Sequence, residues 1–245
     1  MAGRGSRFAD AGFQIPKPLI PVHGVPMIRL VIENVRPSQP HRFIFICQRQ
    51  HVTDFLLREK LDAWAPGCEI VELDGVTGGA AETVLCARGL IDSPNPLMIV
   101  NSDQYVDVGI DAYLRSIDEN ALDGLIMTMY ANDQKWSYVD LNDRGLVRRV
   151  VEKEVISDHA TVGIYNFRRG EDFVRAADLM MSRGLRVNGE YYVAPVYDLL
   201  IETGARVGIY DIGSVGQGTY GLGTPADLEE FLVNPLSARV AGRLL

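Results

Sequence analysis

The sequence of 245 residues is poor in several features, and each shortage excludes something. It contains no uninterrupted apolar run of ~18 residues, so no membrane-spanning helix is expected. It has only three cysteines, Cys47, Cys68 and Cys86, with no CxxC spacing and no ligand set with the four histidines. That excludes a disulfide scaffold and reads as reduced, mostly buried thiols in a cytoplasmic protein. There is no GxSxG motif and no Cys–His arrangement, so a hydrolase nucleophile has no carrier. His23, His41, His51 and His159 show no pairing with a nucleophile, and His159, near Glu152-Lys153, is read as structural or solvent-facing. Positive charge is also short: 24 Lys and Arg against 32 Asp and Glu leave a net charge of -8. This argues against nucleic acid as the main partner, and no membrane partner is expected. Met1 leads into Gly, Arg and Ser rather than an apolar leader, which fits the cytoplasmic reading. Internal repeats, low-complexity segments and clear linkers are missing too.

What the chain has is concentrated at its beginning. Ala2-Gly3-Arg4-Gly5-Ser6-Arg7 is followed by Ile15-Pro16-Lys17-Pro18-Leu19-Ile20-Pro21-Val22. Glycines without a Cβ can bring backbone N–H groups up to a phosphate. Arg7 offers a planar fork for phosphate oxygens and Lys17 a mobile point charge. Pro16 and Pro18 restrict the backbone on both sides of Lys17. A short glycine motif alone also fits a surface turn; the combination with PKPLIPV is far more specific. In a chain of net negative charge, anionic substrates must be met by such local cations.

The pair of motifs resembles the signature of the sugar-1-phosphate nucleotidyltransferases, the nucleoside-diphosphate-sugar pyrophosphorylases of the glucose-1-phosphate thymidylyltransferase-like kind. Their pattern reads roughly GxGTR…PKPLxPV, with Ser6 here in place of Thr. The resemblance extends to about Leu232. It implies an α/β fold: a Rossmann-like three-layer sandwich with a mostly parallel mixed sheet, of the nucleotide-diphospho-sugar transferase (GT-A) type. The family normally has a short apolar strand just before the glycine loop, whereas this sequence starts at the loop: either the start is placed late, at an internal Met, or a central strand is missing.

Periodicity supports the α/β class independently. Apolar spacing predicts a helix over 25–35, a strand over 42–48, a Thr53-capped helix to about 64 and a strand over 69–73. A helix to about 91, a strand over 97–100, a helix over 110–117 and a strand over 125–130 follow. This alternation predicts parallel βαβ units. After Ala131 the pattern changes to strands over 136–141 and 146–152 around Asn142-Asp143-Arg144-Gly145, a hairpin signal. A strand over 161–167, helices over 171–181 and 191–202, a strand over 206–212 and a Thr224-capped helix to 232 complete the reading. It gives one domain over 1–245, with a nucleotide-binding half (1–131), a sugar-phosphate half (132–234) and a C-terminal tail (235–245).

Further candidates lie downstream. Asp103 ends an apolar strand, a place where a carboxylate is well set to hold a hard cation, although a solvated turn would carry the same residue. Thr77-Gly78-Gly79-Ala80-Ala81-Glu82 is a turn of small residues against which a flat base could lie. Glu152-Lys153 closes the hairpin, and by itself such a pair fits any surface. Through the resemblance, Gly79 matches the base-binding loop and Asp103 the metal ligand. Glu152 matches a contact to sugar hydroxyls and Lys153 one to the sugar phosphate, with Tyr138, Gly163 and Glu190 lining the sugar pocket. Gly221 stands where many relatives carry an aspartate as second metal ligand.

The implied reaction joins a nucleoside triphosphate to a sugar 1-phosphate and releases pyrophosphate, with Mg²⁺ as cofactor and surface polysaccharide supply as its context. Arg7, Lys17, Asp103 and Lys153 carry the catalytic roles, and Ala2, Gly3, Arg4, Gly5 and Ser6 hold the nucleotide. Two other readings remain open at this point: a GT-A glycosyltransferase, whose usual DxD is broken by Asp103-Gln104-Tyr105, and a catalytically weak nucleotide-binding module. A homo-oligomer is compatible with the sequence, which specifies neither base nor sugar.

Overall fold

The structure is a computed structural model that describes residues 1–3 and 5–245; Arg4, one of the expected nucleotide-binding residues, lies outside the described residues. The chain gathers into two compact units. One is made of Met1–Val76, Ser102–Ile110 and Gly216–Leu245, the other of Thr77–Asn101 and Asp111–Val215. Both combine helices with strands, so the α/β class holds in each.

In the first unit a five-residue helix, Ser6–Asp10, follows the glycine turn, and a 3-10 turn, Lys17–Leu19, carries the lysine. The predicted helix over 25–35 is shorter than expected. Val25 and Pro26 pair instead with Val22 and Pro21 in a two-residue hairpin, and the helix runs over Met27–Asn34. His23 and Gly24, both at positive φ, make the turn that this pairing demands. Strands Ile44–Gln48 and Glu69–Leu73 are parallel, joined by two helices, Arg49–Asp54 and Leu57–Trp64, where one was predicted. The break falls at Leu56, whose left-handed backbone (φ 50°) interrupts the helix, and Thr53 lies inside the first helix rather than capping it.

Two further strands escaped the sequence reading: Gln104–Val106 pairs antiparallel with Gly218–Gly221. Thr224 caps the helix Pro225–Val233, as expected, by accepting the Asp227 N–H. Residues 235–245, expected as a tail, contain a further helix, Pro235–Ala241. Its Leu236, Val240 and Ala241 join Phe8, Ile20, Val22, Met27, Leu228 and Phe231 in one apolar cluster. That burial, not helix propensity, orders the end of the chain. His23 Nε2 meets Ser237 Oγ at 2.8 Å and so ties the turn at 23–24 to this helix. Of the thiols, Cys47 is buried, and burial pushes it up to about 11. Cys86 is exposed, against expectation.

The second unit is built around His159–Phe167, a nine-residue strand buried along almost its whole length. It pairs antiparallel with both Leu97–Val100 and Gly124–Tyr130. Those two strands were read as successive members of a parallel sheet; instead the later strand pairs with both. Gly124–Tyr130 in turn pairs in parallel with Val207–Val215, so the sheet is mixed. The predicted hairpin forms, Ser137–Leu141 against Val147–Glu152. Helices Gly170–Ser182 and Val196–Glu202 cover this sheet with Phe173 and Tyr197. The Tyr197 ring stacks on Phe167 at 4.4 Å and its hydroxyl donates to the Asn166 carbonyl at 3.0 Å.

The helix predicted over 191–202 begins only at Val196. Tyr191 spends its backbone elsewhere: its N–H donates to the Gly78 carbonyl at 2.9 Å, and its carbonyl accepts from Ala81 at 3.0 Å. Asp198, in the first turn of that helix, accepts the Val150 N–H at 2.7 Å. Burial nevertheless raises its carboxyl to about 6. A carboxyl whose folded pKa lies above its unfolded one binds more protons when folded, so it subtracts stability as pH rises from about 4 to 6. Asp198→Asn keeps the acceptor and removes the charge. It is expected to stabilise the protein at pH 8 by on the order of 1 kcal/mol after discounting for partial exposure, and to lose that advantage by pH 4. Denaturant unfolding of both proteins across this range checks it.

Candidate active site

In the first unit the residues of the two N-terminal motifs line a cavity of about 480 Å³, together with Asp103, His51 and Phe55. Gly5 is at φ 62° and its carbonyl starts the short helix by accepting the Phe8 N–H at 3.1 Å. Arg7 and Ser6 are exposed on that helix, whereas Ala2 is buried and its carbonyl accepts from Gln48 Nε2. Pro16 precedes the 3-10 turn and accepts the Leu19 N–H at 2.8 Å, which holds the backbone of Lys17 in a single bend.

The Lys17 ammonium is thereby delivered to a carboxylate. It donates to Asp103 Oδ2, and to the Gly223 carbonyl at 3.1 Å, and it lies 5.8 Å from the centre of the Phe8 ring. The side chains of Lys17 and Asp103 are only 19% and 30% exposed. Asp103 is itself fixed through its backbone, since Leu222 N–H donates to its carbonyl at 2.8 Å. A Cβ placed on Gly223 would come 3.4 Å from Asp103 Oδ2, 3.7 Å from Asp227 Oδ2 and 3.8 Å from Lys17 Nζ. The absence of a side chain at 223 keeps open a space faced by two carboxylates and an ammonium. Hard anionic oxygens of this kind suit Mg²⁺, which usually takes only one or two carboxylates from a protein. Among the described residues no group of three His, Cys, Asp or Glu is assembled for a metal ion.

In the second unit the expected acceptor residues divide. Glu152 is buried, with the Ser137 hydroxyl donating to its Oε2. Burial holds its carboxyl above the usual range, against the opposing pull of Ser137 and Lys153. Lys153 follows in the left-handed region (φ 59°), unusual for a side chain of its length. Its ammonium donates to the Tyr192 hydroxyl at 2.7 Å and lies 5.0 Å from that ring's centre. The hydrogen bond to Tyr192 raises its pKa, so the cation is kept. Glu190 is exposed at the end of a tight turn, Val187 to Glu190, with Asn188 and Gly189 at positive φ.

Tyr138 is fully buried and its hydroxyl is committed to the Asp133 carbonyl at 2.9 Å. Gly163 sits at φ 81° where the pairing of His159–Phe167 with Gly124–Tyr130 slips, and its carbonyl accepts the Asn101 N–H at 2.9 Å. Gly79 is at φ 140° and caps the helix Ala80–Leu85. Its carbonyl accepts from Thr83 N–H at 3.0 Å, and Glu82 Oε2 accepts the Gly78 N–H at 2.7 Å. The sequence reading did not single out Ser137 or Asp227, and it noted Tyr192 and Gly223 only as members of the segments 188–192 and 221–225. Asp227 had a visible signal, Thr224-Pro225-Ala226-Asp227, but that is also a complete helix cap, and the cap explained it.

The profile of the family described as Nucleotidyl transferase matches residues 1–183. The bifunctional protein GlmU of Burkholderia orbicola (strain AU 1054) is 28% identical over 213 residues, covering 84% of this chain and 44% of that protein. The chain therefore spans less than half the length of such relatives. Among solved structures, a nucleoside-diphosphate-sugar pyrophosphorylase from Vibrio cholerae RC9 aligns with a TM-score of 0.82 at 27% identity, covering 96% of this chain and 98% of that one. A UTP-bound UGPase from Acinetobacter baumannii aligns with a TM-score of 0.73 at 16% identity, over 99% and 95% of the two chains, and speaks for the fold alone.

A Cβ on Gly79 would meet the Tyr191 backbone nitrogen and oxygen at 2.4 Å, in a φ that alanine rarely adopts. Gly79→Ala is expected to cost about 2–4 kcal/mol of stability, from overlap plus backbone strain. Gly75→Ala, with nothing within 4 Å of the added carbon, is the control. Urea unfolding of the two variants compares them.

Proposed function

Because the chain belongs to the nucleotidyl transferase family, we propose that it joins a nucleoside triphosphate to a sugar 1-phosphate, giving a nucleoside-diphosphate sugar and pyrophosphate. The observation that carries this reading is the convergence of Lys17 on Asp103 and the Gly223 carbonyl, beside a cavity lined by the glycine turn. An ammonium held on two oxygens before any ligand arrives is preorganised, and needs little rearrangement as phosphate charge develops. The likeness over nearly the full length of a nucleoside-diphosphate-sugar pyrophosphorylase supports the acceptor class. By the resemblance in sequence, the product would serve surface polysaccharide synthesis.

The residues take these roles. The backbone at Ala2, Gly3, Gly5 and Ser6 holds the triphosphate, and Arg7, exposed on its short helix, is free to close on its oxygens. Gly79 and its turn present backbone to the base. Lys153 binds the phosphate of the sugar phosphate, while Glu152 and Glu190 orient the sugar hydroxyls. An oxygen of that phosphate attacks the α-phosphorus in line, the bond to the β-phosphate oxygen breaks, and pyrophosphate leaves. Lys17 stabilises the α-phosphate during the exchange. Asp103 would hold Mg²⁺, which supplies charge neutralisation on the triphosphate when bound.

Pyrophosphate release, measured with Mg²⁺ over a grid of the four common ribonucleoside triphosphates, dTTP and a panel of sugar 1-phosphates, names both substrates. Silence across the grid would sink the proposal. With the productive pair, Lys17→Ala is expected to lower kcat by about 10²–10³ while the KM for the sugar phosphate stays nearly unchanged. Activity equal to the unaltered protein would remove Lys17 from the mechanism.

A further inference from the structure

The space kept open by Gly223 carries more charge than the lysine balances. Asp103 Oδ2 and Asp227 Oδ2 lie 3.4 and 3.7 Å from the position of the missing Cβ, and Lys17 Nζ lies 3.8 Å from it. Lys17 pairs with Asp103. Asp227 has no ion pair among the described residues; its Oδ2 accepts from the Thr224 hydroxyl at 2.7 Å. Two carboxylates with one ammonium leave one negative charge in a partly enclosed place, where like charges repel and a further cation is favoured.

Gly221 extends the same opening. It lies across from Gln104, the residue after Asp103, in the antiparallel pair. A Cβ on Gly221 would stand 3.4 Å from Asp227 Cγ and 3.6 Å from its Oδ2. The space beside Gly221 is thus bordered by the carboxylate of Asp227, delivered from the first turn of the helix Pro225–Val233. Thr224 fixes Asp227 at both its backbone and its carboxylate: the threonine hydroxyl accepts the Asp227 N–H at 3.1 Å and donates to Oδ2. A capping aspartate normally has no reason to share a space with a second carboxylate.

We propose that Asp227 is the second carboxylate of the divalent-cation site at Asp103, acting from a helix cap rather than from the strand position occupied by Gly221. This rests on the reading of the protein as a metal-dependent nucleotidyltransferase. Its charge lets the site hold a divalent cation while Lys17 keeps its own ammonium. The Thr224 hydroxyl is a positioning group that acts through Asp227.

The test is Mn²⁺ binding to the full chain without nucleotide, followed by the loss of the free-ion electron paramagnetic resonance signal. It needs no turnover. Asp227→Asn keeps the size of the side chain and an acceptor for Thr224, so the helix cap survives; circular dichroism verifies this. It is expected to weaken Mn²⁺ binding by on the order of tenfold or more, as is Asp103→Asn. Adding Gly221→Asp to the Asp227→Asn protein supplies a carboxylate at the same opening, at a backbone φ open to any residue, and is expected to restore binding. Unchanged Mn²⁺ affinity in Asp227→Asn, with binding lost in Asp103→Asn, overturns the assignment. So does the absence of saturable Mn²⁺ binding by the unaltered chain in the low-millimolar range. Failure of the pyrophosphate assay would sink the proposed reaction and leave a dependence of Mn²⁺ binding on Asp227 standing.

Discussion

The contact on which the first unit depends is the ion pair between Lys17 and Asp103. It joins residues 86 positions apart, and the second bond of the same ammonium, to the Gly223 carbonyl, reaches 206 positions along the chain. An ion pair this poorly exposed returns little net stability, because each partner gives up water to form it. The stability comes from below, where Phe8, Ile20, Val22 and Met27 pack with Leu228, Phe231 and Leu236. The apolar cluster fixes the three chain segments, and the ion pair uses that rigidity to set one ammonium in place. Removing either partner would leave a charge poorly solvated, which is why the pair constrains its surroundings more than it supports them.

The second unit follows the same economy with different means. Glu152 is buried in a strand and steered by the Ser137 hydroxyl. Its neighbour Lys153 turns into a left-handed backbone conformation that sends the cation to Tyr192. Adjacent residues of opposite charge are thus held apart, one desolvated and one exposed. Strain of this sort persists only where surrounding structure imposes it, and here the strand Val147–Glu152 ends at the residue before it.

Much of this was legible beforehand, and the failures share a cause. Strands such as Glu69–Leu73 and Leu97–Val100 were readable because a short apolar run bounded by turns has few other destinies. The motif around Lys17 was readable because prolines flank the charge on both sides. What local pattern could not supply was pairing. Val25 and Pro26 carry helical spacing yet join a hairpin. Tyr191 carries it too, yet gives its backbone to the turn around Gly79. The insertion of His159–Phe167 beside Leu97–Val100 depends on contacts more than fifty residues apart. Asp227 was hidden differently: the cap it makes with Thr224 is a sufficient local reason for its presence, so nothing in the sequence asked for a second one.

The division of the chain has a consequence for its manufacture. The unit that holds Lys17 draws on the first 76 residues, on nine from the middle and on the last 30. On a ribosome, the glycine turn and its lysine emerge well before Phe231, Leu236 and Val240, which close the core beneath them. The second unit, contributed by the intervening segments, can find its own contacts earlier. The segment that carries Lys17 is therefore made before the second unit and matures after it. An incomplete translation product exposes that apolar face to chaperones and proteases while lacking the geometry that places Lys17.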